Sequence, residues 1–265
     1  MRWVLSSAAW PPSSVGVPLT VSSDGWGSMS GMVRRRTEWF GGRLMVSRRK
    51  GAHGSPMAEP GHLTERFVDA TRYTSEIHAD HFRKGDRKGP EGGRIPSACH
   101  LLSVAGLALA HGADGEEAIA ALLHDAIEDR PREGRTKREI LERFGPRVLD
   151  IVVGCSDSVE HIRPEAKPPW KQRKEGFLAR LPRATGSVLL VVACDKLDNI
   201  RAILSGRDEI GTAVWARFKA PAREQLWYYE SAVGILKAAD DPRTRPIVRE
   251  LEEACRRLRG LPETG

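Results

Sequence analysis

The stretch EAIAALLHDAIED, Glu117 to Asp129, decides the reading of the fold. Ile119, Leu122, Leu123, Ala126 and Ile127 recur at helical spacing, which predicts one amphipathic helix with a buried apolar face. His124, Asp125, Glu128 and Asp129 occupy the other face. In a continuous helix Asp125 faces Asp129 at i,i+4, and His124 faces Glu128 in the same way. Four titratable groups then crowd the last turn and a half, where acidic side chains also oppose the macrodipole. A bound cation would offset both effects. A solvated helix end is the plainer explanation of a lone His-Asp pair, so the rest of the chain has to decide between them.

On the N-terminal side, Phe67, Ala70, Tyr73 or Thr74, and Ile77 suit the buried stripe of a helix over 63–82. Lys84 to Arg94 (KGDRKGPEGGR) breaks into Gly, Pro and charge, a loop by composition. Pro96 opens a helix through Leu109, with Leu101, Leu102, Val104, Ala105 and Ala108 around His100. Gly112 to Gly115 is a turn. On the C-terminal side, Arg130 to Arg135 reads as a polar loop and Thr136 to Phe144 as a short helix capped by Gly145. Pro146 opens the next helix, which carries Val148, Leu149, Ile151, Val152 and Val153. Pro168 and Pro169 end a second loop before a helix through Leu181. VLLVVAC, from Val188, is compatible with a buried strand on periodicity alone. The i,i+4 rhythm of the polar residues behind it favours a helix, Val188 to Leu204. Trp215 to Ala239 and Pro246 to Arg259 complete the series as helices. Without hairpin signals or βαβ alternation, the class is all-α.

Composition narrows the setting. A length of 265 residues suits one large domain, or one domain with tails. Cys99, Cys155, Cys194 and Cys255 form no CxxC pair, which suits reduced thiols rather than a disulfide frame or a zinc knuckle. No apolar run approaches the roughly 20 residues of a membrane span. Trp3 to Trp10 is too short and mixed for a signal segment, so a cytoplasmic protein is expected. The net charge of +7 invites a nucleic-acid reading, but residues 1–60 alone hold eight Arg/Lys against three acids. The basic character therefore belongs mostly to that leader, and no nucleic-acid partner is expected for the folded part. Residues 1–60 are rich in Gly, Ser, Pro and Arg without periodicity, which predicts a disordered leader. Met57 directly precedes the patterned region and is an alternative start of translation. The expected division is a leader over 1–60, a helical domain over 61–240, and a C-terminal helix and tail over 241–265.

Two further residues stand out. His100 is a single imidazole on an apolar helix. Asp195 follows six apolar or small residues and directly precedes Lys196, and a buried carboxylate needs a cation or several donors. The order His, His-Asp, Asp thus offers two imidazoles and two carboxylates from three helices. Such a mixed N/O set suits Mn²⁺, Fe²⁺, Zn²⁺ or Mg²⁺ and leaves positions open for water and substrate.

The ordered series of motifs resembles the HD phosphohydrolase superfamily. More narrowly, it is similar to the hydrolase domain of RelA/SpoT proteins and to the stand-alone SpoT-like small alarmone hydrolases. The blocks are RKGPEG at Arg87–Gly92, the histidine of IPSACH, ALLHDAIED at Ala121–Asp129, FGPRV at Phe144–Val148, Arg173–Lys174, and DKLDNIR at Asp195–Arg201. They span about Phe67 to Leu236. The resemblance implies an HD-domain helical bundle with His100, His124, Asp125 and Asp195 as metal ligands, Mn²⁺ being the usual ion. It implies that Glu128 and Asp129 position and activate the attacking water. Arg87 and Lys88 match a basic pair that grips phosphate, and Lys171 and Lys174 fall near another basic position. Asn199 matches a pocket asparagine. Tyr228 matches an aromatic beside the nucleotide, although core packing with Trp227 and Tyr229 explains it as well. Ser97 and Leu101 depart from the family's aromatic and proline at those places, which bears on the base pocket rather than on the metal.

The expected reaction is removal of the 3′-diphosphate from guanosine tetra- or pentaphosphate, yielding GDP or GTP and pyrophosphate. The alternatives are hydrolysis of another nucleotide or a dinucleotide cofactor phosphate, and a non-catalytic nucleotide- or RNA-binding module. A small nucleotide is the expected partner, with no membrane and with self-association left open.

Overall fold

The computed structural model describes residues 63–83, 94–130, 134–157 and 168–260. Among these the chain runs through α1 (Glu65–Ile77), α2 (Ala98–Ala110), α3 (Gly115–Leu123), α4 (Ala126–Asp129), α5 (Arg135–Cys155), α6 (Trp170–Arg180), α7 (Gly186–Ile210), α8 (Ala222–Ala239) and α9 (Arg245–Arg259). Among the described residues there is no strand, and an isolated antiparallel bridge joins Phe82 to Pro96. The all-α expectation holds, and the expected loop from 84 and the basic leader lie outside the described residues.

Helix α7 organises the packing. Residues Val188 through Leu197 are buried without a break, and a helix with no polar stripe has to be enclosed by others. Helices α2, α3, α5, α8 and α9 enclose it. Thr185 caps its start by accepting from the Val188 amide, and Gly211, at φ 62°, ends it. This settles VLLVVAC as helix, longer at both ends than its pattern indicates. Leu190 is fully buried at its centre, so Leu190→Ala costs about 2–5 kcal/mol. Helix α9 places Ile247, Val248, Leu251 and Leu258 in the same core.

Helix α3 lies between α1, α2 and α5. Its start is fixed by a capping box: Asp114 accepts from the Glu116 and Glu117 amides while the Glu117 carboxylate accepts from the Asp114 amide. In α5 the backbone leaves helical values at Gly145 (φ 84°, ψ 172°), so two helical pieces meet there and Pro146 opens the second, as expected. The predicted helix over 63–82 is shorter, because α1 stops at Ile77 and the chain turns to make the Phe82–Pro96 bridge. Leu102, expected among the apolar residues of α2, is 49% exposed on the far face. The predicted helix from Trp215 is also corrected: a 3₁₀ turn covers Gly211–Arg217, and α8 begins only after Pro221, which has no amide proton to continue a helix. Among the described residues no helix is long and apolar enough to cross a membrane.

Candidate metal centre

Helix α2 carries His100 in its first turn, the turn between α3 and α4 carries His124 and Asp125, and α7 carries Asp195 near its middle. These four side chains meet. His100 Nε2 lies 3.3 Å from Asp195 Oδ1 and 3.7 Å from Asp125 Oδ2. His124 Nε2 lies 3.4 Å from Asp125 Oδ1 and 3.7 Å from Asp195 Oδ1. The two imidazoles stand edge to face, 5.2 Å apart.

A break in the backbone makes this meeting possible. The expectation of one continuous helix over 117–129 is corrected, since α3 ends at Leu123 and a single turn, α4, restarts at Ala126. The His124 Nδ1–H donates to the Ala121 carbonyl at 2.8 Å. That carbonyl would otherwise serve the amide of Asp125 in a continued helix. Asp125 then sits near the bridge region (φ −92°, ψ −6°) and turns toward the two imidazoles. Asp129 points elsewhere, 3.2 Å from His81 Nδ1. The expected i,i+4 crowding therefore does not arise, and α4, a single turn with Asp125 at its N-cap position, is too short to oppose its acidic residues with a macrodipole.

The tautomers follow from the partners. Asp198 Oδ2 lies 2.6 Å from His100 Nδ1, and the Ala121 carbonyl lies against His124 Nδ1. Both partners only accept, so both Nδ1 atoms carry a hydrogen, and in the neutral rings both Nε2 atoms present lone pairs. Those lone pairs face the carboxylates of Asp125 and Asp195, an arrangement that repels unless a proton or a cation lies between. Nε2 of His124 is buried with no hydrogen-bond partner. Burial alone would lower the His124 ring, yet the carboxylates of Asp125 and Asp195 raise it to about 9. Burial likewise disfavours the charged forms of His100 and Asp195, and is outweighed. Asp195 and Asp198 raise His100, while the Lys196 ammonium and both imidazoles hold Asp195 well below the usual carboxylate range. The residues present fit a divalent cation: His100, His124 and Asp195 each bring one ligating atom within 4.8 Å of the other two, Asp125 stands beside both imidazoles without joining that set, and Asp198 lies behind one imidazole to fix its orientation.

The surrounding groups fall into two sets. On α7, the Lys196 ammonium pairs with Asp195 Oδ2 and the Asn199 amide donates to Asp195 Oδ1. Arg83 donates to Asn199 Oδ1 at 3.1 Å, bringing a guanidinium beside the centre that sequence reasoning missed. Asp198, which the motif series leaves without a role, is turned inward to the His100 ring. It stands three residues after Asp195 on a helix, a spacing that puts both on one face and could have shown this.

The second set lies around α4 and α6. Glu128 Oε1 accepts from the Asp157 amide, and burial together with the Asp157 carboxylate raises the Glu128 carboxyl to about 7. Asp157 is itself gripped by Arg173 and by Lys174, the latter at 2.8 Å. Lys174 thus reaches this set. Lys171, expected at the phosphates, instead lays its ammonium 3.2 Å over the Trp227 ring, and no contact among the described residues joins it to the centre. Tyr228 is buried against Trp170, Phe177 and Tyr229, with the Lys174 and Lys196 ammoniums 4.9 and 5.2 Å from its ring centre. That is packing beneath the site. Arg87 and Lys88 lie outside the described residues.

Comparison with known proteins agrees with this arrangement. A family model described as HD domain matches residues 70–221. A curated guanosine-3′,5′-bis(diphosphate) 3′-pyrophosphohydrolase of Aquifex aeolicus (strain VF5) is 34% identical over 149 residues, 55% of this chain and 19% of that protein. The chain thus spans about a fifth of the length of this curated relative. A solved structure of a metazoan ortholog of SpoT, described as hydrolysing ppGpp, has a TM-score of 0.55 at 21% identity, covering 76% of this chain and 99% of that one. At that identity the likeness is one of fold. With more than half of its length matched, and with the paired histidine and aspartate that give the family its name held against a second histidine and a second aspartate, the chain belongs to the HD domain family.

Proposed function

We propose that this protein is a metal-dependent phosphohydrolase whose substrate is guanosine tetra- or pentaphosphate, from which it removes the 3′-diphosphate as pyrophosphate. The observation that carries the reading is the convergence of His100 Nε2 and His124 Nε2 on the carboxylates of Asp125 and Asp195. The Aquifex aeolicus relative supports the substrate.

In this reading His100, His124, Asp125 and Asp195 hold a divalent ion, Mn²⁺ by the family resemblance, within a catalytic domain over 61–240. Such an ion supplies Lewis-acid polarisation of a phosphoryl oxygen and makes water a nucleophile near neutral pH. Asp198 keeps the His100 ring turned, and Lys196 balances the second oxygen of Asp195. Glu128, with its carboxyl near neutrality, takes the proton from the attacking water. Arg83 takes phosphate charge in the fork geometry of a guanidinium, alongside Arg87, Lys88 and Lys174. A cytoplasmic setting follows from the same reading.

The test is pyrophosphate release from guanosine tetraphosphate by the purified chain with Mn²⁺. Release should stop on chelation and in His124→Ala and Asp195→Ala. Full activity in either variant refutes the site. Hydrolysis of other nucleotides without release from the tetraphosphate refutes the substrate and leaves the phosphohydrolase standing.

A further inference from the structure

A second cluster of ligating atoms lies on the other side of the α3–α4 turn, and the reaction proposed above does not use its imidazoles. His78 and His81 follow the end of α1, and Asp129 ends α4. His81 Nδ1 stands 3.3 Å from His78 Nδ1 and 3.2 Å from Asp129 Oδ2. One ligating atom from each of the three residues lies within 4.8 Å of the other two. A tetrahedral ion with metal–nitrogen bonds of about 2.05 Å requires ligand atoms about 3.3 Å apart. The two short separations are those of a tetrahedral edge.

Hydrogen bonding accounts for this cluster poorly. A ring nitrogen carries one proton or one lone pair, not both. His81 Nδ1 therefore cannot donate to Asp129 and also accept from His78, although it is within reach of each. His78 is almost wholly buried, and its Nε2 has no hydrogen-bond partner. The position is fixed by the fold. The Ser97 amide donates to the His81 carbonyl at 2.9 Å, anchoring the turn beside the Phe82–Pro96 bridge, and the two rings stack 5.5 Å apart.

We propose that His78, His81 and Asp129 form a second divalent-cation site, built for zinc-class ions. Two imidazoles and one carboxylate are the ligand set of an open, three-ligand zinc site, whereas Mg²⁺ prefers oxygen. The nearby charges are of both signs: Asp125 favours a cation, while the Arg130 guanidinium opposes one and is itself paired with Asp80. The turn from 124 to 129 thus sends Asp125 to one centre and Asp129 to the other. The second site does not depend on the hydrolytic reading.

Chelator-stripped protein titrated with Co²⁺ tests this, with bound metal measured by equilibrium dialysis and site geometry by the visible absorption of four-coordinate cobalt. Wild type should bind two equivalents. His124→Ala should retain one, with the four-coordinate spectrum, and adding His81→Gln should remove it. His81 is a third exposed, so glutamine is tolerated, and a melting curve confirms folding. A wild-type chain that binds one equivalent, lost with His81→Gln but not with His124→Ala, supports this site and sinks the first. Two equivalents that survive His81→Gln, or a folded His124→Ala chain that binds none, overturn the proposal and leave two imidazoles sharing a proton.

Discussion

Asp198 is the sharpest place to test how the centre is built, because in the proposed reading it acts on the ion only through His100. Its Oδ2 accepts from His100 Nδ1 at 2.6 Å, beside an imidazole whose side chain is 3% exposed. In Asp198→Ala the Nδ1–H is left buried without an acceptor, which costs about 1–3 kcal/mol of stability. The ring also loses the partner that fixes its tautomer and aims Nε2 at Asp125 and Asp195. Losing such a partner weakens metal binding by about 10–100-fold, or about 1.4–2.8 kcal/mol at 1.4 kcal/mol per tenfold. Asp198→Asn keeps an acceptor oxygen and loses the charge, so its effect should fall at the lower end. The assay is calorimetric titration of the stripped protein with Mn²⁺, with circular dichroism confirming the fold. If Asp198→Ala binds Mn²⁺ within twofold of wild type while His100→Ala abolishes binding, the carboxylate does not orient the ring and the reasoning fails.

Further expectations concern the scaffold. Gly145→Ala has room, since a Cβ there meets only Arg66 Nη2 at 3.9 Å, but φ 84° with ψ 172° is a conformation nearly confined to glycine. It should cost about 1–3 kcal/mol in urea unfolding, and a midpoint unchanged from wild type would contradict that. Glu117 is fully buried, accepting from Arg243 at 2.7 Å, from the Ser187 hydroxyl at 2.6 Å and from the Asp114 amide. Glu117→Ala, which strands the Ser187 and Asp114 donors while the half-exposed Arg243 turns to water, should lower stability by about 1–3 kcal/mol, read from the same denaturation curve. Asp157 supplies a pH dependence. Burial raises its carboxyl, but Lys174 and Arg173 outweigh this and hold it at about 2. Its folded value lies below its unfolded value of about 3.8, so its contribution is complete above about pH 4 and is lost as pH falls through about 2. Two units correspond to about 2–3 kcal/mol. Asp157→Asn should flatten that limb of a stability–pH curve, and an unchanged slope would show that the pairing is not felt in solution.

The chain order alone determined a good deal. Apolar spacing in 117–127 marked a buried helix, because a 3.6-residue period sets which face is covered, and the unbroken apolar run from Val188 followed by polar residues at i,i+4 marked the enclosed one. Gly145 followed by Pro146 marked a helix junction for an equally local reason, the one supplying positive φ and the other a preset first-turn geometry. The residues now facing one another across the centre were legible too, since paired imidazoles and carboxylates on otherwise apolar helices have few inexpensive explanations.

What only the tertiary structure decided is where side chains point once helices from distant parts of the sequence meet. Asp198 turns inward because His100, 98 residues away, presents an N–H to it. Lys171 turns aside because the Trp227 ring offers its face. The central helix breaks at His124 because its imidazole takes the Ala121 carbonyl, in competition with a periodicity that by itself favours continuing. The His78–His81–Asp129 cluster joins the end of one helix to the end of another. Spacing fixes the face of a helix on which a residue lies, but the direction of a polar side chain is set by the partner that satisfies it, and that partner comes from the packing of the whole chain.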